Sequence, residues 1–276
     1  MSKQRVIAIL AFGYRKLNDP YYQGFAAQVA YYLLLSVVPT IILLSQILGI
    51  FSISIEVLKD WIAETITPDA AGMILELFDY APSGAVSTVF VLIVLWSASR
   101  AQFAMFRITN YTFSDGITTG HGYFIDRIHS VVTMLITLFT MTFALVVFVY
   151  GQGVLDLLFS ALPGNKTFLV HVNQFWVWMR WPAAMALYFL MVTLNYYILP
   201  MHRVRLRRVL PGSLLASVGM LAVTVVFSQY LNRTTDYDII YGSLAAVVAL
   251  LIWFYLIAWV LGLGVIFNKA WADSRA

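Results

Sequence analysis

Residues Gly24 to Ile53 read GFAAQVAYYLLLSVVPTIILLSQILGIFSI, thirty positions without a charge. A membrane-spanning helix needs about 20 mostly apolar residues, so this stretch predicts a transmembrane helix and sets the class of the chain. Within it Gln28, Tyr32, Ser36 and Thr40 recur at i, i+4 spacing, a polar seam on an otherwise greasy helix. Polar atoms facing hydrocarbon are costly. The seam is therefore expected to face protein or water, with the other spans gathered around it. Pro39 removes one backbone donor mid-helix and marks a candidate kink.

Composition points the same way. Hydrophobic residues make up 61% of the chain and charged residues 11%, with a mean hydropathy of +0.83. Soluble domains carry about 25% charged residues. The 276 residues hold several spans and their connections, so one polytopic domain over 1–276 is expected. Cysteine is absent, which excludes disulfides and thiolate metal sites. The net charge of +4 suits nucleic acid or a membrane surface equally, and only the placement of the charges decides.

Five further spans are predicted, at about 85–106, 128–149, 176–199, 208–231 and 242–267, giving an all-α bundle of six transmembrane helices. Residues 1–23 set Lys3, Arg5, Arg15 and Lys16 around VIAILAF, which fits an amphipathic helix on the membrane surface or a solvated tail. The loop at 54–84 is acidic, with Glu56, Asp60, Glu64, Asp69, Glu76 and Asp79 against Lys59. Its periodicity predicts two short amphipathic helices in the first outer loop, with Thr67–Pro68 starting the second. Residues 107–127 read as a polar connection, and Pro163, Gly164 and Asn165 as an outer turn. Ser130, Thr133, Thr137 and Thr140 line the third span and Ser213, Ser217, Thr224 and Ser228 the fifth, spacings that suit close helix packing. A small-residue face at Gly242, Ala245, Ala246 and Ala249 on the sixth permits close contact and a homo-oligomer.

The charges test this layout. With both termini inside, the cytoplasmic side receives 13 of the 17 Lys and Arg residues and 4 of the 13 acids. Short loops rich in Lys and Arg stay in the cytoplasm. The basic excess is thus a topology signal, and no nucleic-acid partner is expected.

Catalytic motifs are missing. His121, His129, His171 and His202 are scattered, and only Asp126 and His129 share a helical spacing, which more often marks an interfacial contact than a metal site. Neither a metal nor a cofactor is expected, and an enzyme is disfavoured. The polar groups inside the spans carry more information. Gln28, Tyr32, Ser36, Thr40, Arg100 and Asn195 are candidate lining of a path for an amphiphile, against the plainer reading of interhelical hydrogen bonds. Arg107, Arg203, Arg205, Arg207 and Arg208 fall where inner-leaflet phosphates lie, and guanidinium binds phosphate bidentately. Membrane lipids, above all anionic phospholipids, are the expected partners, although the positive-inside rule alone also accounts for these arginines.

Four stretches carry a family resemblance: AAQVAYYLLLSVVPTIILL at 26–44, LWSASRAQFAMFRITN at 95–110, RRVLPGSLLASV at 207–218 and IIYGSLAAVVALLIWFYLIAWVLGLGVIFN at 239–268. In this order they resemble the YihY/BrkB family of bacterial inner-membrane proteins, the UPF0761 type. The matching positions are Tyr31, Ser36, Pro39, Trp96, Arg100, Pro211, Gly212, Tyr241, Gly242 and Trp253. The resemblance implies a multi-pass inner-membrane protein. Members were once labelled ribonuclease BN, a tRNA-processing label now regarded as misassigned, and others were linked to serum resistance. Some relatives are associated with passage of lipopolysaccharide precursors, which adds that lipid class to the expected partners. Where relatives often carry an acid after a glycine, this chain has Gly264, Val265, Ile266 and Phe267.

The expected function is therefore transporter or flippase-like handling of a phosphate-bearing amphiphile. A non-transporting scaffold or envelope-integrity factor working through the acidic outer loop is the alternative, and a ribonuclease the third.

Overall fold

A computed structural model of the chain describes residues 3–50, 56, 59–60, 72, 75–76, 85–160, 166–201, 204–233 and 245–274. Among these every regular element is an α-helix: α1 (Lys3–Leu17), α2 (Pro20–Ile50), α3 (Ala85–Phe113), α4 (Tyr123–Ser160), α5 (Lys166–Ile198), α6 (Leu206–Arg233) and α7 (Ala245–Asp273). Four contain segments long and apolar enough to cross a membrane: Pro20–Gln46, Tyr123–Ala144, Leu206–Tyr230 and Val247–Asp273. Large apolar side chains such as Leu92, Phe124, Ile128, Trp178 and Val226 are each more than 60% exposed. So many open apolar groups suit a lipid environment.

Several helices are longer than the expected spans, for local reasons. The first begins at Pro20, four residues before the charge-free run, because Asp19 caps it: its Oδ1 accepts the Tyr21 N–H at 3.0 Å and Pro20 occupies the first helical position. The helix continues unbroken through Pro39. In the expected connection 107–127, α3 instead runs on to Phe113. It stops where Asp115 (φ 56°) and Gly116 (φ 92°) turn left-handed and the Gly116 N–H closes on the Tyr111 carbonyl at 2.8 Å. Asn110 and Thr112 read as loop but are helix, because their buried side chains have partners of their own. Beyond 149, α4 continues to Ser160, and its 38 residues measure about 57 Å. The Pro163–Asn165 turn and most of the acidic outer loop lie outside the described residues.

The chain packs as two compact units, one of Met1–Val37, Val91–Met134 and Val192–Ala276, the other of Val38–Phe90 and Leu135–Met191. In the first unit α6 packs closely along α7, and α1 lies against α7. Close approach comes from glycines other than the small-residue face expected at 242–249. A Cβ on Gly212 would stand 2.2 Å from the Gly264 carbonyl oxygen, and one on Gly264 would stand 2.4 Å from the Tyr196 hydroxyl. Asn268 Oδ1 accepts the Gly212 N–H at 2.7 Å, and Tyr196 donates to the Leu261 carbonyl at 2.7 Å. Of the expected small face, Ala245 is buried, Ala249 is half-buried and Gly242 lies outside the described residues.

Several hydroxyls of the two seams bond within their own helices, while the buried Ser217 hydroxyl has no partner. Ser130, Thr133, Thr140 and Ser213 each donate to a carbonyl one turn back in their own helix, at 2.7 to 3.0 Å. A hydroxyl satisfied within its own helix needs neither water nor a path. In the fifth predicted span Ser213 and Ser217 are buried, whereas Thr224 and Ser228 are exposed.

Candidate functional site

The polar ends of α2, α3 and α7 meet in one cluster. Tyr111 donates to Asp19 Oδ2 at 3.0 Å, and its ring stacks on Tyr21 with centroids 4.2 Å apart. Tyr22 and Thr112 share a hydrogen bond. Asn110, 4% exposed, bonds the Phe106 carbonyl at 2.9 Å, the Leu199 carbonyl at 3.3 Å and the Met201 N–H at 2.7 Å. Lys269 bridges Asp115 at 3.1 Å and Asp273 at 3.3 Å. These are structural ties, each charge or dipole answered by another. The carboxylate accepting from Tyr111 lifts that phenol above its ordinary value of 10.0.

Further along the same helices lies a cluster of different character. The Arg100 guanidinium sits 5.5 Å from the Tyr32 ring centroid, and Tyr32 lies 5.6 Å from Tyr31. Arg127, from the first turns of α4, stacks 3.9 Å from the centroid of Trp96, lies 5.6 Å from Phe103 and donates to the Trp96 carbonyl. Tyr123, one turn before Arg127, completes the cage, 6.5 Å from Trp96 and 5.9 Å from Phe103. Such cation–π contacts contribute about 0.5 to 2 kcal/mol each. Arg127 is only 6% exposed and its Nε has no partner. Arg100 stands one helical turn beyond Trp96 on α3, so the two like charges share that face. Among the described residues neither has a carboxylate within ion-pair distance. Asp126 is adjacent in sequence but turns away, its Oδ1 accepting the His121 N–H at 2.9 Å beside Gly120, where a Cβ would collide with it.

Of the predicted path, the structure joins Tyr32 to Arg100. Gln28 is exposed, Ser36 is buried and returns its hydroxyl to the Leu33 carbonyl at 2.8 Å, and Thr40 and Asn195 are half-buried. The seam disperses because each i+4 step turns about 40° beyond a full circle, so Gln28 and Ser36 stand about 80° apart. Arg107 is half-buried over Phe103 at 5.9 Å. Arg205, Arg207 and Arg208 are exposed at the start of α6, and Arg203 lies outside the described residues. Asp126 and His129 take separate partners, His129 facing the Ile198 carbonyl at 3.0 Å. Among the described residues no three His, Cys, Asp or Glu side chains gather as a metal site would require. Arg127 was hidden in a stretch that reads as loop; its one sequence signal is the i, i+4 step from Tyr123, visible only once the start of α4 is known.

The Bacillus subtilis (strain 168) protein named "Putative ribonuclease-like protein YfkH" is 26% identical over 238 residues, covering 85% of this chain and 84% of its own. A "UPF0761 membrane protein" of Xanthomonas oryzae pv. oryzae (strain PXO99A) is 43% identical over 94 residues, 34% of this chain and 21% of that protein. One from Xanthomonas campestris pv. campestris (strain B100) is 46% identical over 78 residues, 28% and 18% respectively. The chain thus aligns with about a fifth of the length of these Xanthomonas proteins. No solved structure matches. The pattern of the family described as "Virulence factor BrkB" matches residues 14–276. With that match over nearly its whole length, and with its apolar helices, the chain is a membrane protein of the BrkB family.

Proposed function

We propose that the protein moves a phosphate-bearing amphiphile between leaflets of the bacterial inner membrane, within a six-span bundle whose termini both face the cytoplasm. The observation that carries this reading is the Arg100–Arg127 pair, two cations on one face of α3 with no acid in ion-pair distance among the described residues. Charged groups inside a bilayer are costly, and where they occur they mark substrate pathways. Depth supports it. Tyr21 pairs with Tyr111, and Tyr32 with Arg100, eleven residues further along each helix. That is about 16 Å from the charged ends, roughly half of a 30 Å hydrocarbon core. The positive-inside rule explains arginines at the surface but not Arg100 this far from the end of α3; Arg127 stands one turn inside the start of α4. At the surface, Arg205, Arg207 and Arg208 surround the N-terminus of α6, whose dipole adds partial positive charge. An anion would meet this tier first and then the pair of half-buried Arg100 and buried Arg127.

Purified protein in liposomes with a fluorescent lipid probe tests the reading. Faster transbilayer movement of an anionic phospholipid than in protein-free vesicles is expected. Rates no faster than in protein-free vesicles for phosphatidic acid, phosphatidylglycerol and a lipopolysaccharide precursor alike would refute it.

A further inference from the structure

We infer that Arg100 and Arg127 form a binding site for the phosphate of a lipid whose hydrocarbon chain occupies the slot between α2 and α7. This rests on the reading above and names where its ligand is held. A guanidinium carries five N–H donors, yet Arg127 has one hydrogen bond, to the Trp96 carbonyl, and its Nε is buried and unanswered. The Trp96 ring, 3.9 Å away, and the Phe103 ring, 5.6 Å away, fix the plane of the group. A buried donor without a partner costs about 1–3 kcal/mol, more for a charged group, and mutual repulsion with Arg100 adds to that. One tetrahedral phosphate accepting from both guanidinium ions removes both costs. A carboxylate of the chain would do the same, but Asp126, the adjacent one, is committed to the His121 turn.

A second observation selects an amphiphile over a free anion. A cavity of about 280 Å³ lies between α2 and α7, lined by Ala27, Ala30, Tyr31, Leu251, Ile252 and Tyr255. Its lining is apolar, and Tyr31 connects it to Tyr32 and so to Arg100. Ile252 also borders a larger apolar cavity of about 550 Å³ against α6, around Val226 and Phe227. A ligand with its phosphate at the arginines has hydrocarbon space within one tyrosine pair.

The test uses the full chain in detergent, with binding followed by calorimetry. The probes are dihexanoyl phosphatidic acid, dihexanoyl phosphatidylcholine and inorganic phosphate. Phosphatidic acid is expected to bind best. Arg100→Gln and Arg127→Lys should each weaken it about 10- to 100-fold, the range of a charge-assisted hydrogen bond. The lysine keeps the charge and loses the fork and the stacked plane. Ala27→Trp, at an exposed position on the slot, should weaken phosphatidic acid and leave inorganic phosphate unchanged. Inorganic phosphate binding as tightly as the lipid, with Ala27→Trp inert, would keep the arginine site and overturn the chain slot. Unaltered phosphatidic acid affinity in both arginine variants, each retaining the wild-type melting temperature, would overturn the site. The liposome result would then stand or fall separately, since transport by wild-type protein does not require these residues to be the ones that bind.

Discussion

Replacing Gly212 by alanine should loosen the α6–α7 pair, and the size of the effect follows from what the added methyl meets. The nearest atom is the Gly264 carbonyl oxygen at 2.2 Å, with the Asn268 carboxamide carbon at 2.4 Å. The first is backbone and cannot rotate aside, so the helices must separate by about 1 Å to restore van der Waals distance. Overpacking of this kind costs about 1–3 kcal/mol, and pulling Asn268 away from the Gly212 N–H removes a further 1 kcal/mol or so. Against this, alanine gains about 0.5–1 kcal/mol over glycine in a helix. The net expectation is a loss of about 2 kcal/mol, or a fall of roughly 4–8 °C in Tm for a chain of this size. Size-exclusion thermostability in detergent measures it. Gly24→Ala is the internal control, because nothing lies within 4 Å of its would-be Cβ, and it should leave Tm equal or slightly raised. A Gly212→Ala protein melting within about 1 °C of wild type, or a Gly24→Ala protein falling as far, would refute the argument.

Asn110→Ala should cost about 2–4 kcal/mol, because it removes the bonds to Leu199 and Met201 and leaves the fully buried Leu199 carbonyl without its Asn110 donor; a fall of several degrees in the same melting assay checks it. Tyr111→Phe should show a pH signature. The raised phenol contributes stability below its ordinary value of 10.0, and that contribution is lost as pH rises through the higher folded value. The stability gap between wild type and Tyr111→Phe, measured at pH 8 and pH 11, should therefore shrink at the higher pH, and a constant or widening gap would contradict the cause assigned to the shift.

The helical class, the membrane character and the family were legible because they rest on long-range averages: apolar length, charge placement and ordered motifs. Helix ends were less legible. Asn110 and Thr112 look like loop residues until the packing gives them partners, and Asp19–Pro20 is a capping pair masked by the stronger apolar signal four residues on. The site was half visible. Arg100 stands out as a charge within an apolar run, but Arg127 acquires meaning only through Trp96, 31 residues away in the chain. Helical spacing alone promised a single seam from Gln28 to Thr40, and the winding of i+4 steps took those groups to different faces.

Asp19 pulls in two directions. One oxygen holds the opening turn of α2 and the other holds the phenol near the end of α3. A carboxylate split this way acts as a rivet through two beams: sliding α3 lengthwise would tug at the very turn that starts α2. Arg100 and Tyr32 ride on those same beams eleven residues inward, so any shear large enough to part the cation from its ring must first work against a joint at the helix ends.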